Sequence, residues 1–377
     1  MSKKKRGGNF SHLKYYSLDR ILKKKADYNI IFGERSNGKT YAALEYGLRE
    51  YWKHGGELAV IRRWIEDIRP ARAGRFFEAL QANGLVSEIT EGKFTEIYYF
   101  NRKWYLSNYD EDLKKHIPDS KPFAYAFALS EMEHDKSTSY PNVTTIVFDE
   151  FLTRKYYLPD EFITFMNVLS TIIRQRSNVK IFMLGNTVNK FCPYFDEMGL
   201  KHVRQMEQGS IDVYTYGDSG LTVAVEYAAS METKKESNKF FAFDNENLQM
   251  VTSGKWELAI YPHLTVKYEP TDVIFTYFIE YHENLLQCEI VQKGDMYFTY
   301  VHHKTTPLRH PDTDLIYSLE HNEKPNYRKR LLHGSSKLEK RVAWFYGVEK
   351  VFFQNNDVGE VVRAYIRDAE RSEFSRV

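Results

Sequence analysis

The sequence predicts an α/β protein with a mainly parallel central sheet in its first half and a smaller α+β domain in its second half. Short apolar runs recur before residue 190 and several are separated by stretches with helical spacing, which is the order of a parallel sheet. After residue 256 the pattern changes to alternating runs joined by short turns, which indicates an antiparallel meander. A chain of 377 residues is more than one core usually fills, so two domains are expected.

The first half opens with a predicted strand, a glycine loop and a helix. Tyr28 to Phe32 is an apolar run that ends at Gly33, and an amphipathic stretch from Thr40 to Trp52 follows it. The same reasoning predicts further buried strands at Leu58 to Ile61, Phe123 to Leu129, Val143 to Phe148 and Val179 to Leu184. It predicts helices at Trp64 to Leu80 and Leu158 to Gln175, and an inserted antiparallel meander at Ser87 to Ser107.

The remaining elements divide the chain into a domain at 1–228, a polar connector at 229–256 and a domain at 257–377. Two extended runs between residues 203 and 227 flank the turn Gly217 to Gly220 and close the first domain. The second domain begins with a meander whose strands are predicted at Val273 to Ile279, Leu285 to Val291 and Met296 to Val301, and a helix-like tail starts at Val358.

Composition excludes several classes of protein. A formal net charge of +2 excludes a uniformly basic coat for nucleic acid, so contacts with DNA must come from local patches. Cys192 and Cys288 are the only cysteines and lie far apart, which argues against a disulfide framework and a structural zinc site. The basic start is followed by polar residues and no apolar run approaches about 20 residues, so we expect a soluble protein without a secretion signal.

The strongest motif is the segment Gly33-Glu34-Arg35-Ser36-Asn37-Gly38-Lys39-Thr40, which matches the phosphate-binding loop (P-loop) pattern in full. It follows a predicted strand and opens a predicted helix, which is the context that the motif needs. Backbone N–H groups of such a loop point at phosphate oxygens, and the helix N-terminus favours negative charge. Lys39 is then expected to reach the β and γ phosphates, and Thr40 to be a ligand of Mg²⁺.

Two adjacent acids follow the strand at Val143 to Phe148. Asp149 is expected to hold the metal, and Glu150 to orient and deprotonate the attacking water, which favours hydrolysis over transfer to a substrate. The next predicted strand ends near Asn186, a candidate sensor of the γ-phosphate, although a turn residue is the alternative.

Arg174 and Arg176 end the helix after the acidic pair, where either could act as an arginine finger on the nucleotide of a neighbouring subunit. Both could instead be ordinary partners of a helix C-terminus. Arg35 within the loop is a further candidate. The sequence leaves these alternatives open.

Together, Gly33 to Thr40, Ile146 to Glu150 and Gly185 to Thr187 resemble the additional-strand, catalytic-glutamate class of P-loop ATPases. More closely, the chain resembles over its whole length the DNA-packaging ATPases of small tailed phages of the phi-twenty-nine type, which are relatives of large terminase subunits. The resemblance implies ATP and Mg²⁺ as cofactors and a homo-oligomeric ring, generally of five subunits. It also implies translocation of double-stranded DNA into a preformed capsid.

The same resemblance implies a capsid portal as a partner, a packaging RNA in some members, no membrane, and the cytoplasm of a bacterial host as the location. It further implies a second domain of ribonuclease H-like fold, which carries the nuclease in large terminases. Here the strand Val273 to Ile279 contains no Asp and is followed by Glu280, so a vestigial nuclease fold is expected.

Basic residues that could contact phosphates concentrate in Lys324 to Arg341. The candidates there are Arg328, Lys329, Arg330, Lys337, Lys340 and Arg341, and weaker candidates for a DNA channel are Lys114, Lys115 and Lys121. A solvated, positively charged surface is the alternative. Two other functions also stay open: another DNA-stimulated ATPase of helicase or recombination type, and a protein that uses ATP only as an assembly switch.

Overall fold

A computed structural model of the protein describes residues 16–134, 139–153, 157–187, 191–229 and 261–371. The chain forms two compact units, Met1–Glu257 and Leu258–Val377. The connector predicted at 229–256 lies outside the described residues, except for residue 229. Within the described ranges, no helix is both long enough and apolar enough to cross a membrane.

The first unit is built on one large sheet. Its strands are β1 Tyr28–Gly33, β2 Glu57–Arg62, β3 Glu96–Phe100, β4 Lys103–Asp110, β5 Lys115–Pro118, β6 Ala124–Ala128, β7 Val143–Asp149, β8 Lys180–Asn186, β9 Ile211–Tyr216 and β10 Leu221–Tyr227. Its helices are α1 Asp19–Leu22, α2 Lys39–His54, α3 Pro70–Ala73, α4 Glu78–Ala82, α5 Leu85–Ile89, α6 Glu161–Ile173 and α7 Pro193–Glu197.

The strands of this sheet, as far as the structure describes it, run in the order β3, β4, β6, β2, β7, β8, β1, β10, β9, with β5 paired to β4. From β6 to β10 every neighbouring pair is parallel, and the antiparallel pairs lie towards the two edges. The prediction of a mixed α/β fold with a mainly parallel central sheet is therefore confirmed.

The parallel strands bury both of their faces, which explains why they are continuous apolar runs. In β7, Ile146 and Phe148 belong to one hydrophobic core and Val147 to the other, because successive side chains of a strand point to opposite faces. Helix α6 covers the first core, and α2 covers the second. The sheet is thus held between two apolar layers, with its strand ends at the surface.

The segment between β2 and β6 differs from its prediction. The continuous helix expected at Trp64 to Leu80 is instead a 3₁₀ turn at Ile65–Ile68 followed by the short helices α3 and α4. Pro70 begins α3, since proline favours the first helical turn and has no N–H to continue the preceding turn as a helix. Helix α3 ends at Ala73, directly before Gly74. The predicted meander also begins later than expected, at β3, because residues 85–89 form α5.

The second unit contains a mixed sheet beside two helices. Its strands are β11 Val273–Tyr281, β12 Asn284–Lys293, β13 Met296–His303, β14 Ile316–Ser318, β15 Tyr327–Arg328 and β16 Val351–Phe353. Its helices are α8 Lys337–Gly347 and α9 Asn356–Arg371. The meander β11, β12, β13 is antiparallel as predicted, while β14 and β16 add to its two sides in parallel orientation. The acid Glu280, expected after the first meander strand, lies within β11.

Helix α8 was not predicted, although its start carries a recognisable signal. The Ser336 hydroxyl accepts from the Glu339 N–H at 3.1 Å, and the Glu339 carboxylate accepts from the N–H groups of Ser335 and Ser336. This reciprocal capping box fixes the first turn of α8. Arg328 also donates to Glu339 at 2.7 Å, which ties β15 to the helix.

Glu289 and His302 of this unit titrate as a pair. The Glu289 carboxylate lies 3.6 Å from His302 Nε2 and accepts from Tyr268 and Gln287. The contact with His302 lowers the pKa of Glu289 to about 2, and the contact with Glu289 raises the pKa of His302 above its ordinary 6.5. The pair therefore stabilises the fold most at a pH where both side chains are charged.

We expect the stability supplied by protonated His302 to be complete below pH 6.5 and to disappear as the pH rises through the raised value. Thermal unfolding of the wild type and of His302→Asn would measure it. The wild type should be more stable by about 0.2 to 1 kcal/mol at pH 6, as for a partly exposed ion pair, and this advantage should disappear by pH 9. A difference that does not change with pH would contradict the pairing.

Candidate nucleotide site

The candidate site lies at the edge of the first unit where the parallel strands end. Gly33 pairs with Asn186, Asp149 pairs with Leu184, and Ile61 pairs with Phe148. Because these registers align the carboxyl ends of β1, β2, β7 and β8, the residues that follow each strand meet at one edge. Open parallel sheets bind ligands at this edge.

The P-loop joins β1 to α2 through backbone conformations that glycine favours. Gly38, directly before α2, has φ of 95° and Gly33 has φ of 153°. A Cβ atom on Gly33 would lie 3.2 Å from the Ala228 Cβ and 3.3 Å from the Ala228 carbonyl oxygen. Any larger residue at Gly33 would therefore push the loop away from Ala228, which directly follows β10.

Lys39 is almost fully buried and folds back over the loop. Its Nζ donates to the Glu34 carbonyl at 2.6 Å and to Asn37 Oδ1 at 3.1 Å, and it lies 3.5 Å from Asn186 Oδ1. Burial lowers the pKa of Lys39 to about 8, although the negative charges of Asp149 and Glu34 oppose that shift. The Asn186 side chain is thus brought to Lys39, as a sensor residue would have to be.

Thr40 and Asp149 meet beside the lysine. The Thr40 hydroxyl donates to Asp149 Oδ1 at 2.9 Å. Burial raises the pKa of Asp149 while the charge of Arg62 opposes the shift. A hydroxyl and a carboxylate are the oxygen ligands that Mg²⁺ prefers, so this pair suits the predicted metal site.

The loop also fits a phosphate group by its own polar atoms. Asn37 Nδ2 is buried and has no hydrogen-bond partner among the described residues. A cavity of about 420 Å³ borders the loop, which is within the size range of small-molecule sites. Its lining combines P-loop residues, both acids, the end of β8 and residues of α4 or next to it: Ser36, Asn37, Gly38, Lys39, Thr40, Tyr41, Ala79, Asn83, Asp149, Glu150, Leu184, Gly185 and Asn186.

Glu150 presents its carboxylate at the rim of this cavity. Its side chain is 59% exposed and its backbone is left-handed, with φ of 59°. Glu150 Oε2 accepts from Arg62 Nη2 at 2.8 Å. The carboxylate is therefore beside the cavity but paired with a cation.

Arg62 is a site residue that the sequence did not reveal. It is the last residue of β2, and its guanidinium donates to Asp149 Oδ2 at 2.5 Å as well as to Glu150. A single arginine thus bridges both acids of the predicted catalytic pair. No local motif marks it, because its role depends on β2 being the neighbour of β7 in the sheet.

The finger candidates lie elsewhere on the same unit. Helix α6 ends at Ile173, so Arg174 and Arg176 follow the end of the helix opposite to Glu161. The Arg176 guanidinium donates to five backbone carbonyls of its own chain, those of Tyr140, Pro141, Val143, Ile172 and Ile173. Arg174 is exposed and left-handed, with φ of 42°, and Arg35 is exposed on the P-loop. Arg176 is therefore held by carbonyls of its own chain.

The predicted nucleic-acid contacts fall into two groups on different units. Lys114, Lys115 and Lys121 are exposed around β5 in the first unit, whereas Lys329, Lys337, Lys340 and Arg341 are exposed in the second. Arg328 is paired with Glu339, and Arg330 is half-buried. Helix α8 brings Lys337, Lys340 and Arg341 together with Trp344, whose ring lies under the Lys350 ammonium at 5.6 Å. The sequence had not linked Trp344 or Lys350 to this group.

Comparisons with known proteins agree with this arrangement. A family model described as podovirus DNA encapsidation protein (Gp16) matches residues 11–332. The DNA packaging proteins of Bacillus phage phi29 and Bacillus phage PZA are each 31% identical to this chain over 185 residues, which is 48% of this chain and 47% of each relative. The chain spans about half the length of the curated relatives it matches.

Solved structures are similar over almost the whole chain. One is a chain of the bacteriophage Phi-29 viral genome packaging motor assembly, with a TM-score of 0.56, 20% identity, and coverage of 95% of this chain and 98% of that one. Another is the Phi-28 gp11 DNA packaging motor, with a TM-score of 0.50, 16% identity, and coverage of 94% and 98%. These likenesses establish a shared fold.

Replacement of Lys39 tests the phosphate site directly. Lys39→Met removes an ammonium group whose charged form is disfavoured by burial. We therefore expect the free protein to keep its melting temperature. The variant should lose the stabilisation that ATP with Mg²⁺ gives the wild type, which is about 2.7 kcal/mol at a hundredfold excess over Kd. Thermal melting with and without nucleotide measures this, with Lys53→Met, an exposed lysine at the end of α2, as the control. Equal nucleotide stabilisation of Lys39→Met and the wild type would exclude this site.

Proposed function

Because this chain belongs to the podovirus DNA encapsidation protein family, we propose that it is an ATP-hydrolysing motor that moves double-stranded DNA into a preformed capsid. The observation that carries the proposal is the convergence of the P-loop and both acids on one cavity, with Thr40 bonded to Asp149 at 2.9 Å and Glu150 at the rim. The P-loop suits phosphate binding, Thr40 and Asp149 suit metal coordination, and Glu150 suits activation of water.

In this proposal Lys39 exchanges its bonds to the Glu34 carbonyl and Asn37 for phosphate oxygens when ATP binds. Thr40 and Asp149 would hold Mg²⁺, and the ion would neutralise charge on the phosphates. Glu150 orients a water molecule and accepts its proton. Asn186, 3.5 Å from the Lys39 ammonium, responds to the γ-phosphate.

Arg62 restrains this chemistry. While its guanidinium is bonded to Glu150 at 2.8 Å, Glu150 Oε2 accepts from Arg62 and not from a water molecule. Arg62 also bonds to Asp149 and lies 3.7 Å from Asp67. Arg62 can therefore release Glu150 and still keep two anionic partners. In this proposal, hydrolysis begins when Arg62 releases Glu150.

The charge that stabilises the transition state comes from an exposed arginine, Arg174 of a neighbouring subunit or Arg35 of the loop. Arg176 is unsuited to this role, because withdrawing it would leave five carbonyls without its N–H groups. A finger supplied in trans requires a neighbouring subunit, which a homo-oligomeric ring provides at every interface. In the proposed assembly this chain forms a ring of five subunits. The partners of the ring are a capsid portal, double-stranded DNA and a packaging RNA.

The second unit serves as a ribonuclease H-like domain for contact rather than cleavage. Its antiparallel meander with β14 added in parallel beside β11 supports that fold. Nuclease activity is not part of the proposal, because β11 contains no Asp and Glu280 is its only acid.

The decisive test is ATP turnover with and without duplex DNA, in the wild type and in Glu150→Gln. We expect duplex DNA to stimulate turnover of the wild type and the variant to lose about 100-fold or more in kcat, since general-base catalysis contributes 10² to 10⁴. KM for ATP should stay within a fewfold, because Glu150 does not bind the loop. Turnover near zero in both proteins would instead support an assembly switch, and opening of the duplex would support a helicase.

The basic residues of α8 make a separate prediction about salt. Neutralising Lys337, Lys340 and Arg341 to Gln should weaken binding to duplex DNA and lower the slope of log K against log salt by about 2.7, if each contacts one phosphate. The matched control is Lys23, Lys24 and Lys25 to Gln, three exposed lysines of the first unit. An equal loss of DNA affinity in both triple variants would mean that the overall charge of the protein causes it, and not contact by α8.

A further inference from the structure

Arg63, directly after β2, is a buried cation that the proposed reaction does not use. Its side chain is 5% exposed. Nη1 donates to the carbonyl of Glu150 at 3.1 Å, and Nη2 donates to the carbonyl of Phe151 at 2.6 Å. The guanidinium therefore binds the backbone of the predicted catalytic acid and of the next residue, and not its carboxylate.

The backbone that Arg63 binds is in an uncommon conformation. Glu150 has φ of 59°, a left-handed value that few residues other than glycine adopt. Such conformations persist where the surrounding structure over-determines them. Here the restraints are the two bonds from Arg63 and the bond from the Phe151 N–H to the Leu184 carbonyl at 3.1 Å.

Glu161, the first residue of α6, fixes the guanidinium in turn. Its carboxylate accepts from Arg63 Nε at 2.8 Å and 3.0 Å, from the Leu158 N–H at 2.7 Å and from the Tyr194 hydroxyl at 2.8 Å. The Glu161 side chain is 0% exposed. The Tyr157 ring lies 5.0 Å from the guanidinium carbon and covers another side of it. Arg63 thus has a single possible orientation.

We propose that Arg63, oriented by Glu161, is a positioning residue for hydrolysis: it holds the Glu150 backbone left-handed so that the carboxylate stays at the nucleotide cavity. This inference rests on the proposed function, in which Glu150 is the base. Stability alone does not account for the pair, since a buried ion pair is often no more stabilising than an uncharged pair of similar size. The geometry it imposes on Glu150 is its specific effect.

The test separates position from stability by removing both charges together. Arg63→Met alone leaves Glu161 buried without its cation, so both the melting temperature and kcat should fall. Arg63→Met combined with Glu161→Gln has no uncompensated charge and keeps an acceptor for the Leu158 N–H, so the melting temperature should largely recover. We expect kcat of this double variant to stay on the order of 100-fold below the wild type, with KM for ATP within a fewfold.

Two further variants complete the design. Arg204→Met with Asp196→Asn removes another ion pair of the same unit, whose atoms lie 2.5 Å apart, and should leave kcat unchanged. Arg63→Lys keeps a charge beside Glu161 in a protein that folds, yet a single ammonium cannot replace the fork that bonds two carbonyls and a carboxylate. Its kcat should also fall, by about tenfold.

Recovery of kcat together with the melting temperature in the double variant would overturn the inference, as would wild-type kcat in Arg63→Lys. Failure of the proposed function has a different signature. In that case the wild type would not turn over ATP, or Glu150→Gln would be as active as the wild type.

Discussion

The alignment of parallel strand ends is the constraint on which the candidate site depends. Asp149 is paired with Leu184, one residue before Gly185, and Gly33 is paired with Asn186. A shift of one residue in either register would turn every side chain of a strand to the other face. Both faces are filled by separate apolar cores, so such a shift would exchange side chains of different size and shape between the two cores and disrupt the packing of both. The packing of the sheet thereby fixes the distances between groups far apart in the sequence.

Opposite charges at this edge are concentrated in a small volume. Lys39 and Arg62 are cations, Asp149 and Glu150 are anions, and every one of them touches another member or a backbone carbonyl. Burial lowers the pKa of Lys39 to about 8, and it raises the pKa of Asp149. Both shifts disfavour the charged forms in the free protein. A bound phosphate and its metal ion would favour those charged forms again, so the site is complementary to a ligand that brings both signs of charge.

The sequence was sufficient where a function depends on neighbouring residues and insufficient where it depends on strand order. The P-loop and the pair Asp149 and Glu150 are local patterns, and the structure brings them together as expected. Arg62 and Arg63 carry no local signal, because Asp149 lies 87 residues after Arg62 and Glu161 lies 98 residues after Arg63. Strand β5 also escaped prediction, since all four of its residues are exposed and leave no alternation. Helix α8 could have been found, because Ser336 and Glu339 form a capping box that the density of basic residues obscured.

Arg62 and Arg63 contact different atoms of Glu150. This difference determines which part of Glu150 can move and which part is fixed. Successive residues of an extended chain point to opposite sides, so Arg62 reaches the carboxylate of Glu150 and Arg63 its carbonyl. The first contact joins a side chain that is 59% exposed to a cation with other anionic partners, so breaking it costs little. Breaking the second would remove the Arg63 donors from two backbone carbonyls and leave the buried carboxylate of Glu161 without its cation, which costs several kcal/mol. The Glu150 side chain can therefore switch between partners while its backbone stays in place, and a base that must be restrained and then released requires that combination.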